Sequence, residues 1–302
     1  MNLKLLVLLG MRLKLIWYLT FLLVACAPVQ NNWDIIRTQD KATVAQGWSV
    51  PERLAVNSDG WEDSSFITAD GNKLYFSFYP GDLLTDAKKG KFTDDIDIYV
   101  SLKPFTQKSK ASEFYLSEDI WSEAGLMISG QDYFYNTNRD YLNDQKSDTD
   151  IYQNLDRLSF NDDTNQNNPH YCRAKDELWF DEDDKKIFVM EHAARDGFTG
   201  ELRLVGEPIN KGGSNFQPWL SEDCNTLYFT SGRDSTITVP KTKIFMSQKV
   251  NSIWSEPIVI VESNFLIGEP SLTVNQKELY FVQIFKGKGA FQADIYRTRR
   301  VT

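Results

Sequence analysis

The 302-residue sequence has few of the side chains that most often bind metals or carry out catalysis. It contains two histidines, His170 and His192, and three cysteines. Neither histidine has metal-ligand spacing to the other or to a cysteine, and no motif supplies partners for a nucleophilic triad on His170. We therefore expect both histidines to be packed or surface residues, and we predict no metal site and no cofactor.

Positive charge is also scarce, because 33 Lys and Arg residues stand against 42 Asp and Glu residues. Residues 1–25 hold three of the basic residues and no acidic one, so the rest of the chain has a net charge of −12. A chain this acidic is poorly suited to a nucleic-acid backbone or an anionic bilayer surface. The sequence also lacks a glycine-rich phosphate loop, and we predict no nucleic-acid partner.

The first 25 residues have the pattern of an export signal. Lys4, Arg12 and Lys14 are followed by an apolar segment from Leu15 to Val24. A basic start and a short apolar run are typical of a segment that is removed after export. Met11 is an alternative start, because the chain from Arg12 onward is a complete short signal.

The end of this segment, Leu23-Val24-Ala25-Cys26, resembles the bacterial lipobox. The resemblance implies lipidation of Cys26 and cleavage before it, and Ala27 in place of Asp implies the outer membrane in a cell that has one. The alternative is an uncleaved anchor or a buried cysteine. Residues 26–46 show no sustained periodicity, and we interpret them as the lipidated cysteine and a flexible tether.

A hairpin pattern recurs five times after the tether, at intervals of about 45 to 59 residues. Each copy has a short apolar run, a polar turn and an aromatic triplet. The copies are Ser64 to Phe78, Glu123 to Thr137, Asn168 to Glu182, Gln217 to Ser231 and Gly268 to Val282. Such a period indicates one repeated supersecondary unit, and we expect the triplets to pack in the core between neighbouring units.

A third strand can be assigned after each hairpin, and a fourth strand after each of the first four. The third strands centre on Asp97-Ile98-Tyr99, Asp150-Ile151-Tyr152, Lys186-Ile187-Phe188, Lys243-Ile244-Phe245 and Asp294-Ile295-Tyr296. The predicted fourth strands are Glu113 to Leu116, Arg157 to Asn161, Leu202 to Ile209 and Ile253 to Val261. Four antiparallel strands per unit predict an all-β, five-bladed β-propeller spanning residues 47–302.

The last unit lacks a fourth strand, because the chain ends soon after Tyr296. An unpaired edge invites aggregation. Trp48 to Leu54 is similar to the segment that begins at Ile253. We therefore predict that Trp48 to Leu54 closes the last blade as its outer strand.

The copy at Phe66 to Phe76, followed by Asp97-Ile98-Tyr99, resembles the TolB-type, WD-like propeller repeat of bacterial periplasmic proteins. The proline of that motif is present at Pro169, Pro218 and Pro270 and is replaced by Ser65 and Ala124. The resemblance implies the fold more firmly than any activity, because this fold serves as a binding platform, an assembly factor and an enzyme domain.

One polar position recurs at the start of the innermost strands, where a propeller has one mouth of its central channel. Aligning the copies places Ser64, Glu123, Asn168, Gln217 and Glu269 there, and Asp63 precedes the first of them. We predict that these six residues form a ligand-binding site, although polar residues also line channel mouths simply because the mouths are wet. The alternative function is a glycoside hydrolase that uses Asp63, Glu123 and Glu269 as channel carboxylates.

Two further features remain open in the sequence. Cys172 and Cys224 lie on neighbouring repeats, and an oxidising compartment permits a disulfide, but their non-equivalent positions weigh against one. Acidic runs such as Asp181 to Asp184 are expected in solvated turns. We predict a lipid-anchored envelope module that binds an envelope protein or a small ligand, and whether it is also an enzyme is left open.

Overall fold

The computed structural model describes residues 31–89, 96–112, 121–140, 148–236 and 240–301. Over these ranges it contains two short α-helices, α1 (Trp33–Gln39) and α2 (Leu83–Lys88), and a 3-10 helix (Arg173–Lys175), and its other regular elements are strands. In the described part, no helix is long and apolar enough to cross a membrane. The sheets lie in one compact unit formed by residues 34–302.

The strands follow the predicted repeat. In chain order they are β1 (Thr43–Val44), β2 (Glu52–Arg53), β3 (Trp61–Ile67), β4 (Lys73–Tyr79), β5 (Asp97–Leu102), β6 (Ser109–Lys110), β7 (Glu123–Ser129), β8 (Asp132–Thr137), β9 (Asp150–Gln153), β10 (Asp156–Arg157), β11 (Gln166–Cys172), β12 (Glu177–Glu182), β13 (Lys186–Glu191), β14 (Leu202–Leu204), β15 (Asn215–Leu220), β16 (Thr226–Ser231), β17 (Lys243–Val250), β18 (Ile253–Trp254), β19 (Ile258–Glu262), β20 (Leu266–Leu272), β21 (Glu278–Lys286) and β22 (Phe291–Arg299).

These strands pair into antiparallel sheets of four strands, some with additions. Sheet I is β3-β4-β5-β6, sheet II is β7-β8-β9-β10, and sheet III is β11-β12-β13-β14. Sheet IV is β15-β16-β17-β19, with β1 added beside β19 and β18 beside β17. The remaining strands β20-β21-β22 pair with β2, and we call this group sheet V. A single parallel bridge between Ala293 and Trp61 joins sheets V and I.

The fourth strands are shorter than the sequence pattern predicts. In sheet I the expected strand Glu113 to Leu116 lies outside the described residues, and β6 occupies the fourth position instead. The chain reverses directly after β5, because the amide of Phe105 bonds to the carbonyl of Leu102 at 2.7 Å. The partner strand is therefore reached earlier in the sequence than expected.

The N-terminal segment is part of the fold from residue 34 onward. Within the segment expected to be a tether, α1 forms and β1 pairs with β19, with Thr43 opposite Glu262. Farther along the chain, β2 pairs with β22, with Arg53 opposite Tyr296, and Trp48 forms an isolated bridge. Within the segment interpreted as a tether, β1 thus pairs with sheet IV, and α1 bonds to sheet V through Arg37 and Asp294.

An asparagine after the fourth strand makes the same three hydrogen bonds in three sheets. Asn161 in sheet II donates Nδ2 to the carbonyls of Ile151 and Leu158, and its Oδ1 accepts from the Ile151 amide. Asn210 does the same in sheet III, and Asn57 does so with Leu54 and Ile295 in sheet V. The bonds of this asparagine clamp between Asn57 and sheet V are thus equivalent to those of Asn161 and Asn210 in sheets II and III.

A buried carboxylate gives a second sign of this equivalence. An aspartate of the third strand pairs with a basic residue of the fourth strand in sheets I, II and V. The pairs are Asp97 with Lys110 at 2.6 Å, Asp150 with Arg157 at 2.8 Å, and Asp294 with Arg53 at 2.7 Å. Because an unpaired charge in the interior is costly, each aspartate constrains its outer strand to carry a cation.

The aromatic triplets form the core between sheets, as predicted. Their buried aromatic members are Tyr75, Phe76, Phe134, Tyr135, Trp179, Phe180, Tyr228, Phe229, Tyr280 and Phe281. The clusters combine side chains from successive sheets; one of them holds Phe134, Ile151, Leu178 and Phe180. The triplets are therefore structural and do not form a stacking surface.

Cys172 and Cys224 are joined by a disulfide, with their Cα atoms 6.0 Å apart. The sequence argument weighed against this bond because the two residues occupy different positions in their repeats. The end of β11 in sheet III lies beside the hairpin turn of sheet IV, so non-equivalent positions meet across the packed sheets. The bond closes 52 residues of chain.

Candidate functional site

Each innermost strand is interrupted in its middle by a β-bulge of two residues. The register with the second strand shifts there in all five copies. The first bulge residues are Ser64, Gly125, Asn168, Gln217 and Glu269, and each has a positive φ between 50° and 62°. Non-glycine residues rarely adopt this conformation, and its recurrence at one repeat position marks it as a feature of the architecture.

Four of the five residues aligned in the sequence are at this position, and Glu123 is not. Glu123 lies two residues before the bulge, opposite Thr137, where sheet I has Glu62. The alignment fails because the hairpin of sheet II has a turn two residues shorter, with Ser129 opposite Asp132. Glu123 is buried and its Oε1 is 2.9 Å from Arg139, so it belongs to an internal ion pair.

The bulges surround a narrow cavity of about 50 Å³. Its lining includes all five first bulge residues and Pro169, Pro218 and Pro270 beside them. Ser64, Asn168, Gln217 and Glu269 are half-buried here, in agreement with a position on a channel wall. The structure thus brings together four of the predicted residues, with Gly125 in place of Glu123, while Asp63 lines a neighbouring cavity.

Backbone amides turned outward by the bulges bond to side chains of the preceding sheet. In each case the acceptor is a residue of the second strand of the preceding sheet. It lies opposite the residue that comes just before the bulge of that preceding sheet. The Asn168 amide donates to Asn136 Oδ1 at 3.2 Å, and the Gln217 amide donates to Asp181 Oδ2 at 2.9 Å. The Glu269 amide donates to Thr230 Oγ1 at 3.2 Å. This series links sheets II to III, III to IV and IV to V.

Glu269 supplies the next link, from sheet V to sheet I. The residue of sheet V at the acceptor position is Val282, which has no polar side chain. The amide of Ser64 donates instead to Glu269 Oε2, and Gln217 Nε2 donates to Glu269 Oε1 at 3.1 Å. The carboxyl group of Glu269 therefore has a structural role as well as a place on the channel wall.

Burial among these groups, and then the nearby carboxylate of Asp63, raise the pKa of Glu269 well above its usual value. Asp63 itself accepts hydrogen bonds from Trp61 Nε1 at 2.8 Å and from the Ser64 amide at 3.0 Å. The neighbouring negative charge and the burial both favour the neutral carboxylic acid form of Glu269.

Asp181 is the residue of this site that the sequence analysis missed. It was expected in a solvated turn, but it lies in β12, fully buried, and its Oδ2 also accepts from Asn168 Nδ2 at 2.9 Å. Burial, followed by the charge of Asp184, raises the pKa of Asp181 well above its usual value. Asn136 and Thr230 are neutral at the equivalent position, so a neutral Asp181 fits the same role. The equivalence of Asp181 with Asn136 and Thr230 in the second strands was the signal that could have identified it.

A cavity of about 140 Å³ opens beside the bulges of sheets IV, V and I. Asp63, Gln217 and Glu269 contribute polar groups to its wall, and Phe216 and Ile284 contribute apolar ones. Neither Asp63 nor Glu269 forms an ion pair with any residue that the structure describes. In the same part of the chain, no group of three or more Asp, Glu, His or Cys side chains is arranged to hold a metal ion.

The two histidines are separate from this acidic cavity. His170 is buried beyond the bulge of sheet III, and its ring lies 5.6 Å from that of Trp219. Burial lowers the pKa of His170 to about 4, so the ring is neutral at physiological pH. His192 is exposed after β13. The expectation that they are a packed and a surface residue is confirmed.

Comparison with known proteins gives a fold and no family. No protein-family model matches the chain, and no curated protein matches it in sequence. Among solved structures, the chain is similar to the Bacteroides ovatus xyloglucan PUL protein GH43B, with a TM-score of 0.50 and 10% identity over 82% of this chain and 53% of that one. It is also similar to the GH43 endo-arabinanase from Bacillus licheniformis, with a TM-score of 0.50 and 12% identity over 79% of this chain and 94% of that one.

TolB from Acinetobacter baumannii matches with a TM-score of 0.42 and 14% identity over 81% of this chain and 55% of that one. The chain thus spans about half of the length of the TolB and Bacteroides structures. At these identities the likeness shows the fold alone. With its four-stranded antiparallel sheets, the chain is a β-propeller.

Proposed function

We propose that this protein is an exported, lipid-anchored propeller that binds a polar ligand of the glycan type at the acidic mouth of its channel. The observation that carries the proposal is the shared cavity of Asp63, Gln217 and Glu269. Two carboxyl groups and an amide offer both donors and acceptors, which suits a ligand rich in hydroxyl groups. The aromatic ring of Phe216 adds an apolar wall on which a sugar ring can pack.

The proposal includes a closed ring of five blades, with β2 as the outer strand of the last one. Support comes from the amide series around the bulges, the asparagine clamp at Asn57 and the ion pair of Arg53 with Asp294. A closed ring supplies a rigid scaffold, on which recognition by loops and channel residues is efficient.

The disulfide between Cys172 and Cys224 supports export, because such bonds persist in oxidising compartments. Cys26, the proposed lipidation site, lies outside the described residues. The proposed location is the cell envelope, at the outer membrane where the cell has one. An envelope protein as partner, instead of a glycan, is an outcome of the tests below.

A glycoside hydrolase is the second candidate, and the GH43 proteins among the fold neighbours favour it. The raised pKa of Glu269 is what a general acid requires, and Asp63 would be the base. Glu123, expected as the third carboxylate, is held by Arg139 away from the cavity.

Two variants of Glu269 separate binding from hydrolysis. Affinity for a panel of plant and bacterial glycans is measured by calorimetry, and release of reducing ends is measured in parallel. Glu269→Ala should weaken binding about tenfold or more, because the Gln217 amide and the Ser64 backbone lose a buried partner. Glu269→Gln should keep binding, because the amide is neutral like the protonated acid. Glu201→Gln, at an exposed position, is the control.

The hydrolase is supported if the wild-type protein releases reducing ends from a glycan, and Glu269→Gln still binds that glycan but releases no reducing ends. The physical reason is that an amide cannot act as a general acid. Binding without release supports the binding module. If the wild-type protein binds no glycan but captures an envelope protein, and Glu269→Ala does not capture it, the partner at this site is a protein instead of a glycan.

A further inference from the structure

The largest of the cavities described here lies at the opposite end of the channel from the acidic mouth and has a different chemistry. It measures about 250 Å³ and is formed where the innermost strands enter their hairpin turns. One turn from each sheet reaches its rim, through Ala69, Gly130, Arg173, Glu222 and Val274. We call this cavity the hairpin-side pocket.

The floor of the hairpin-side pocket is apolar and aromatic. Phe66, Met127 and Trp219 lie there, and the buried ring of His170 packs against Trp219. The ring of His170 is uncharged, so the floor presents no charge. A concave apolar surface of this kind favours an aromatic or branched aliphatic group over a sugar.

Charge is confined to the rim. Arg173 is exposed and its Nη2 donates to the carbonyl of Ser129 at 2.7 Å, while the guanidinium packs against Gly130. Arg173 forms no ion pair with any described residue, and neither does Glu222, which lies on the rim of the next sheet. The rim therefore offers an anion a guanidinium that has no carboxylate partner among the described residues, and the negative charge of Glu222 disfavours a second negative charge on the ligand.

The waist of the channel separates the two ends. The cavity at the bulges has a volume of only about 50 Å³ and is walled by Pro169, Pro218 and Pro270. A ligand seated in the hairpin-side pocket therefore does not reach Asp63. The two mouths are independent sites, and the second does not depend on the function proposed for the first.

We propose that the hairpin-side pocket binds a small monoanion with one apolar ring system, the ring on Trp219 and Met127 and the carboxylate at Arg173. Its volume lies just below the range of about 300–1,000 Å³ of drug-sized sites, so the ligand is the size of a single fragment. This assigns the pocket to aromatic carboxylates or the carboxyl end of a chain with an aromatic last residue.

The test uses indole-3-acetate and neutral indole as probes of the wild-type protein, by ligand-observed NMR and calorimetry. Arg173→Gln should lower the affinity for indole-3-acetate about two- to fivefold, as expected for an exposed charge pair, and leave the affinity for indole unchanged. Val274→Trp fills the rim with a bulky ring and should abolish binding of both probes. Val250→Trp, at an exposed position on the outer edge of sheet IV, is the matched control.

Melting temperatures of all variants establish that they are folded. Equal affinity of indole-3-acetate in Val274→Trp and Val250→Trp would overturn the proposal, as would no binding of either probe by the wild-type protein. Glu269→Ala should leave indole-3-acetate binding unchanged. A loss there would contradict the independence of the two mouths without bearing on glycan binding.

Discussion

The asparagine clamp at Asn57 allows the contribution of the N-terminal segment to be measured with a single substitution. Its side chain makes three hydrogen bonds to the last sheet, of 2.9 Å to the Leu54 carbonyl, 2.8 Å to the Ile295 carbonyl and 2.7 Å from the Ile295 amide. At about 0.5–1.5 kcal/mol for each bond, Asn57→Ala should cost about 3 kcal/mol of unfolding free energy.

That loss corresponds to a fall in melting temperature of about 6–12 °C for a domain of this size. Asn161→Ala is the matched reference, because it removes the same three bonds from an internal sheet. Asn264→Ala, at an exposed position, is the control for the loss of a surface amide. Urea unfolding followed by tryptophan fluorescence and circular dichroism gives the three free energies.

The reasoning is refuted if Asn57→Ala changes the unfolding free energy no more than Asn264→Ala while Asn161→Ala has the full effect. That result would mean that residues 52–57 lie against β22 without contributing to the cooperative fold. Similar losses in Asn57→Ala and Asn161→Ala are the predicted outcome.

Four further predictions follow from the same structure. Glu269→Gln should gain stability relative to the wild type as the pH rises above 4.5, the ordinary pKa of Glu, because the raised pKa of Glu269 in the folded protein stabilises the wild type at low pH and this stabilisation is lost as the carboxyl group ionises; identical pH profiles would contradict the raised pKa. Because the pKa of His170 is about 4 in the folded protein, the wild type should lose at most about 3 kcal/mol of unfolding free energy as the pH falls from 6.5 to 4, and His170→Phe should remove this loss. Reducing the bond between Cys172 and Cys224 should cost about 2–4 kcal/mol, measured by urea unfolding with and without reductant, and equal midpoints would argue against the bond. Removal of residues 27–55 should lower the melting temperature far more than two short strands suggest, and an unchanged value would contradict closure of the ring.

Periodicity allowed most of the fold to be predicted from the sequence. The aromatic triplets and the Asp-Ile-Tyr runs are fixed by burial, so they recur with little variation and reveal the second and third strands. The outer strands are poorly predicted, because β6 and β10 are two residues long and carry no hydrophobic pattern. Residues 33–44 have no repeat partner, which is why α1 and β1 were not foreseen.

The candidate site shows a different limit. Four bulge residues were found because the turns in their hairpins have equal lengths, and Glu123 was misplaced because one turn is two residues shorter. Asp181 was missed because its role depends on the Gln217 amide of another sheet, a contact that no local pattern contains. Val282 has no polar side chain at the acceptor position, so Glu269 accepts the hydrogen bond of the Ser64 amide instead. This contact between two sheets likewise cannot be predicted from a local pattern.

Hydrogen exchange at one amide directly tests whether the N-terminal strand is part of the last sheet, on which the closed ring depends. The Leu54 amide bonds to the Ile295 carbonyl at 3.1 Å, and the Leu158 amide makes the equivalent bond to Ile151 at 3.0 Å in sheet II. Both amides should exchange only through global unfolding, with similar protection. Exchange of the Leu54 amide at the rate of an unprotected one, while the Leu158 amide stays protected, would contradict the closed ring.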